Sequence, residues 1–154
     1  MKLKVMTFNT QHCRNFITGR IDFDVMAKAI NTCGADIVGL NEMRNKGHNT
    51  EEYDEQVKIL SEKTGLSYYY FAEAIRFGGK NPYGNGLLSR YPITDAHTVI
   101  IPDPPKAGRD KNGYYETRCV LCASVDVGET LNVRVSHFGL MPDERENAVW
   151  TLTE

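Results

Sequence analysis

Asp36-Ile37-Val38-Gly39-Leu40-Asn41-Glu42-Met43-Arg44 is the stretch on which the reading of this chain turns. The apolar run 37–40 is short enough for a buried strand and stops abruptly at polar residues. At that stop stands a lone carboxylate, Glu42, with an amide before it and Arg44 two residues on. Ligands of open α/β sheets gather at the carboxyl ends of the strands. A carboxylate in such a place can hold a hard cation, and an arginine beside it can hold a phosphate. Taken alone, the same residues describe an ordinary solvated strand end, so their meaning depends on how the other strands finish.

Upstream, residues 3–8 alternate toward a strand with Asn9 just beyond it. Asp22 can cap a helix whose apolar face is Phe23, Met26, Ala27 and Ile30, with Gly34 as its stop, which makes a strand–helix–strand unit of crossover length. Downstream, Thr50 is a cap for a second helix carrying Tyr53, Val57 and Leu60 and ending at Gly65. Residues 67–72 read as a strand, and the glycine-dense stretch 77–86 as a loop feeding a strand over 87–89. Pro92 precedes a strand over 93–101, and 102–113 is a proline- and charge-rich loop. Strands over 115–127 and 131–136 flank the hairpin signal Gly128-Glu129-Thr130, and the second ends at His137. Asp143 and Glu146 stand at capping-box spacing for a last helix carrying Val149, Trp150 and Leu152.

Composition narrows the classes. The 154 residues are 41% hydrophobic and 25% charged, ordinary for one globular domain. A net charge of −2 supplies no global field toward nucleic acid, so any such substrate must be gripped locally. The N-terminus lacks the sustained apolar core of a signal peptide, and no apolar run reaches the roughly 18 residues of a membrane span. A cytoplasmic setting is the expectation. Four cysteines lack a disulfide rhythm, and Cys119 and Cys122, three apart on a strand, point to opposite faces rather than to one zinc ion.

Three strands thus end in Asn9, Glu42 and His137, a fourth starts near Glu116 and Arg118, and Asn85 lies in the glycine-rich stretch. Val5-Met6-Thr7-Phe8-Asn9, the stretch from Asp36 to Glu42, Tyr83-Gly84-Asn85-Gly86-Leu87-Leu88-Ser89-Arg90-Tyr91-Pro92-Ile93, Glu116-Thr117-Arg118, and Val135-Ser136-His137-Phe138-Gly139-Leu140 followed by Glu144-Arg145 occur in that order. Together they resemble the endonuclease/exonuclease/phosphatase superfamily, the deoxyribonuclease-I-like fold, with Asn41 where the family usually carries Gln. The resemblance implies an α/β (α+β) chain built as a four-layer α/β/β/α sandwich, here reduced to its first half to two-thirds, with residues 1–154 forming an incomplete domain.

It also implies a chemistry: hydrolysis of a phosphodiester or phosphomonoester by metal-assisted in-line attack of water. Glu42 would hold Mg2+, or Mn2+ in its place, with Asn9 beside it, and His137 would complete the catalytic set by donating to the phosphate. Arg118, Asn85 and Arg44 would bind the substrate, whether a nucleic acid, a small phosphorylated molecule or a lipid headgroup. Two further family motifs, a Gly-Asp-Phe-Asn type strand end and a Ser-Asp-His type terminus, do not occur here. A weak or inactive fragment is therefore expected, its open apolar face covered by the rest of a longer protein, by a separate second-half chain or by a second copy in a homodimer. The alternative is a non-catalytic binding or scaffold domain on the same fold.

Overall fold

The strand ends singled out above fall on two sheets rather than one. The structure, a computed structural model, describes residues 2–48, 50 and 52–153. In chain order the elements are β1 (Val5–Asn9), α1 (Phe23–Cys33), β2 (Ile37–Arg44), α2 (Gln56–Thr64), β3 (Tyr68–Phe77), β4 (Asn81–Ser89), β5 (Ile93–Ile100), a 3₁₀ turn (Lys106–Gly108), β6 (Cys119–Asp126), β7 (Thr130–Ser136) and α3 (Pro142–Thr153). One sheet has the order β1-β2-β4-β3 and the other β5-β6-β7. β1 and β2 are parallel, so that Asn9 lies opposite Asn41, and the remaining pairs are antiparallel.

Three apolar layers join these elements. Met26, Ala27 and Ile30 of α1 and Val57 and Leu60 of α2 pack on Val38, Leu40, Met43 and Leu88. Ile37, Ala72 and Leu87 face Cys119, Leu121, Ala123, Val125 and Val135 between the sheets. Ala148 of α3 closes on Val120 and Cys122 on the far side. This is the four-layer α/β/β/α sandwich. Cys119 and Cys122 belong to different layers, as period-2 alternation requires.

Local chemistry explains the helix ends. The Asp22 side chain accepts from Val25 N–H, and Gly34 closes α1 in the left-handed region with bonds to Ile30 and Asn31. α2 starts at Gln56, not after Thr50, and Tyr53 lies outside it; Asn49 and Glu51, on either side of the expected cap, lie outside the described residues. At α3, Pro142 takes the first position and the carboxylate reaching back to Met141 N–H is Glu144, not Glu146. The expected pairing of Asp143 with Glu146 is replaced by a bond from Glu144 N–H to Asp143.

The largest correction concerns 77–86. β3 runs to Phe77 and β4 already begins at Asn81, so most of the glycine-rich stretch is strand, paired on both sides. The two glycines within β4 serve close approach: a Cβ on Gly84 would run into the Ala72 carbonyl, and one on Gly86 would come within 2.7 Å of Val57 Cγ2. β6 in turn starts at Cys119, leaving 115–118 outside any strand.

β1 and β7 are edge strands, facing each other across a groove of about 290 Å³ lined by Val5, Ile37, Val133 and Val135 among others. Among the described residues the exposed large apolar side chains include Val5 on β1, Phe16 and Ile17 in the loop before α1, Ile100 on β5 and Trp150 on α3.

Gly84→Ala should lower stability by about 1–3 kcal/mol in urea unfolding, as overpacking against rigid backbone does. An unchanged midpoint would contradict the close approach of β3 to β4.

Candidate functional site

β2 does not stop at Leu40. It continues to Arg44 through an irregularity between Leu40 and Met43, where the pairing to β4 shifts register. Glu42 sits in that bulge with φ 59°, left-handed backbone that costs an L-residue on the order of 1–2 kcal/mol. The bulge breaks strict alternation and leaves Glu42 half-buried where its neighbours Asn41 and Met43 are buried. The Glu42 carboxylate accepts from Asn9 Nδ2 at 2.8 Å, while Asn9 Oδ1 accepts from Gln11 N–H at 3.0 Å. Parallel pairing of β1 with β2 is what brings these two ends together.

A cleft of about 370 Å³ opens beside Glu42, lined by His12, Arg44, Phe77, Tyr83, Tyr114, Glu116, Arg118, His137 and Leu140 as well. Both sheets contribute: Arg44 and Tyr83 come from the first, while Arg118 precedes β6 and His137 follows β7. The Arg44 guanidinium stands 4.6–5.0 Å from the ring centres of Tyr53, Phe77 and Tyr83. Its Nε and Nη1 are buried with no hydrogen-bond partner among the described residues, so the ring faces supply the contact that stabilises the charge.

Arg118 is 92% buried (8% exposed), with Nη1 2.8 Å from Glu116 Oε1 and 3.4 Å from His137 Nδ1. The first contact is an ion pair outside hydrogen-bond alignment, which leaves Glu116 Oε1 without an aligned donor. Glu116 is itself steadied by Tyr114 OH at 2.7 Å, and its main-chain N–H by Glu144 at 3.1 Å. Arginine only donates, so in the neutral His137 ring Nδ1 accepts and Nε2 carries the proton. Burial, then the Arg118 charge, holds the His137 imidazole below its ordinary 6.5, against Glu42 and Glu116, which pull it up. Burial also pushes the Tyr83 phenol up to about 12, with Glu116 and Glu42 adding to it, so the phenol stays protonated.

Asn85 is placed differently from the other expected site residues. It is 3% exposed, accepts from Asn41 Nδ2 at 2.9 Å and donates to the Cys119 carbonyl at 3.1 Å. It borders only a recess of about 10 Å³ shared with Arg118 and His137, outside the main cleft. Its amide ties the sheets together. Glu42, Arg44, Arg118 and His137 therefore gather around one opening, Asn9 joins them through its bond to Glu42, and Asn85 lies behind it. Sequence reading passed over His12 and Tyr114, and named Tyr83 and Glu116 within the quoted stretches without giving either a role at the site. The signal for Glu116 was present, two residues before Arg118, whereas His12 follows a strand end without any pattern to mark it.

The sequence model of the Endonuclease/Exonuclease/phosphatase family matches residues 6–150. An endonuclease/exonuclease/phosphatase from Beutenbergia cavernae superposes with a TM-score of 0.76 at 21% identity, covering 97% of this chain and 42% of its own. A mannosyl-6-phosphatase from Bacteroides thetaiotaomicron gives 0.65 at 15% identity, covering 99% and 58%, and TDP2 from Caenorhabditis elegans gives 0.59 at 11%, covering 98% and 39%. The chain thus spans less than two thirds of the length of these proteins. No curated protein matches the sequence.

The His137 environment has a measurable consequence. A histidine with a depressed folded pKa binds fewer protons than the unfolded chain just below pH 6.5, so its contribution to stability is lost as pH falls from 6.5 toward the folded value. Ring NMR titration should place the His137 midpoint below 6.5, and Arg118→Met should move it up. A midpoint at or above 6.5 in the parent protein would contradict the burial and charge described here.

Proposed function

The chain belongs to the Endonuclease/Exonuclease/phosphatase family, and from that premise we propose that its cleft hydrolyses a phosphate ester with a divalent cation held at Glu42. The observation that carries this reading is the convergence of Glu42 and Arg44 from one sheet with Arg118 and His137, which flank strands of the other, on one opening, with Asn9 bonded to Glu42.

The donor chemistry suits a small hard cation. Asn9 engages one oxygen of the Glu42 carboxylate, and buried Glu116 Oε1 lacks an aligned donor in the same cleft. Among the described residues no three or more His, Cys, Asp or Glu side chains gather into a full cage. Mg2+ does not need one, since it keeps several waters and takes one or two carboxylates; Mn2+ suits the same oxygens. Glu42, with Asn9 beside it, would hold the ion, which when bound polarises the phosphoryl oxygen and offsets charge in the transition state.

The remaining roles fall to the chain's own side chains. Arg44 and Arg118 supply fixed positive charge for the phosphate, and His137, kept neutral, donates from Nε2–H to an oxygen on which charge develops. The groups that the family resemblance assigns to positioning the water are missing from this sequence, so slow turnover is expected from this chain alone. In this reading further strands pair with the free edges of β1 and β7, from a longer polypeptide or a second copy. A solution mass equal to one chain sets the second copy aside. The other reading is a binding or scaffold domain that keeps the same fold without catalysis.

Bis(p-nitrophenyl) phosphate and p-nitrophenyl phosphate, assayed with and without Mg2+ or Mn2+, separate the two. Slow, cation-dependent release of nitrophenolate is expected, lost in Glu42→Ala and reduced about 10²–10³-fold in His137→Ala, as when one donor to a developing oxyanion is removed. Activity that survives Glu42→Ala would overturn the cation assignment, and no release together with no Glu42-dependent cation binding would favour the binding domain.

A further inference from the structure

Left-handed backbone is concentrated beside this cleft. Gln11, His12 and Cys13 have φ of 47°, 58° and 60°, three consecutive non-glycine residues in a region that L-residues rarely hold, and Glu42 at 59° faces them. Such a turn persists only where its surroundings over-determine it. The bonds that do so end next to Glu42. His12 donates twice to the Glu42 carbonyl, from its backbone N–H at 3.0 Å and from ring Nδ1 at 3.1 Å. A carbonyl only accepts, so Nδ1 carries the proton. Thr10 accepts from Cys13 N–H at 3.4 Å and donates to the Asn41 carbonyl at 3.3 Å.

Behind the turn stands Gln56, the first residue of α2 and 1% exposed. Its Nε2 donates to the His12 carbonyl at 2.8 Å, and its Oε1 accepts from Arg44 N–H at 2.9 Å. A buried amide with both ends used is a rigid spacer between two backbones. One end fixes the turn that grips the Glu42 carbonyl, and the other fixes β2 two residues beyond Glu42. The peptide carrying the carboxylate is held from both sides, by side chains that make no bond to the carboxylate itself.

We propose that His12 and Gln56 form a clamp that sets the direction of the Glu42 carboxylate, making both of them positioning residues for the divalent cation. The inference rests on the reading of Glu42 as the cation's carboxylate. Outer partners of ligating groups change metal affinity by about 10–100-fold when removed. The clamp gives His12 a signature that a purely structural role lacks. Glycine accepts a φ near 58° without strain, so His12→Gly keeps the turn and the backbone donor while removing the ring donor.

The test is Mn2+ binding to the full chain without substrate, by calorimetric titration, alongside thermal unfolding, for the parent, His12→Gly, His12→Asn, Gln56→Met and Glu42→Gln. The expected result is an unchanged or higher unfolding midpoint for His12→Gly with Mn2+ affinity about tenfold weaker. His12→Asn, which tolerates left-handed backbone and can donate an amide to the Glu42 carbonyl, should recover most of the loss. Gln56→Met strands two buried backbone groups, and if it fails to fold the His12 pair decides the matter alone. Parental affinity in His12→Gly, with binding abolished by Glu42→Gln, would overturn the clamp and leave the cation reading standing. A parent with no Glu42-dependent binding would overturn both.

Discussion

A carboxylate at the end of a strand is useful only if the backbone turns to present it, and at Glu42 that turn puts an L-residue into left-handed conformation. The rest of the site is arranged around making this tolerable. Parallel β1 delivers Asn9 to the carboxylate, the register slip against β4 absorbs the extra residue, and the turn after β1 delivers two donors to the carbonyl. Strain of this kind, held by polar contacts instead of being relaxed by a glycine, is what a site with a demanding geometry retains. The second sheet then closes the opening with Arg118 and His137.

The fold was legible in the sequence where local chemistry and burial agreed. Asp22 and Gly34 bound α1 because a cap oxygen and an achiral residue are required there. The apolar run 37–40 is strand because every residue of it is buried. Legibility failed in the glycine-rich stretch 81–86, where glycines usually read as a turn but here allow a strand to pass close to two neighbours. It failed again at the end of β2, since a bulge conserves neither alternation nor a composition signal, and in α2, whose start is set by the tertiary bonds of Gln56 rather than by a capping hydroxyl.

At the site, side chains at the tips of strands could be read from sequence because topology places such tips together. Residues doing structural work among them could not be told apart. Asn85 sits in the most specific stretch of the resemblance, yet its amide is consumed by Asn41 and Cys119. Arg90, in the same stretch, bonds Asp36 at 3.0 Å and so anchors the start of β2. Within that stretch, then, Asn85 joins the two sheets and Arg90 secures the start of β2, while Glu116 and His12 reach the cleft from segments outside any strand.

The proposed chemistry requires one cation site, at Glu42, flanked by the ends of β1 and β7. Paramagnetic broadening by substoichiometric Mn2+ in amide-resolved NMR spectra tests it directly. Signals of Asn9, Gln11, His12, Met43 and His137 are expected to broaden first, and Glu42→Gln to remove the effect. Broadening centred elsewhere, or unchanged in Glu42→Gln, would contradict it.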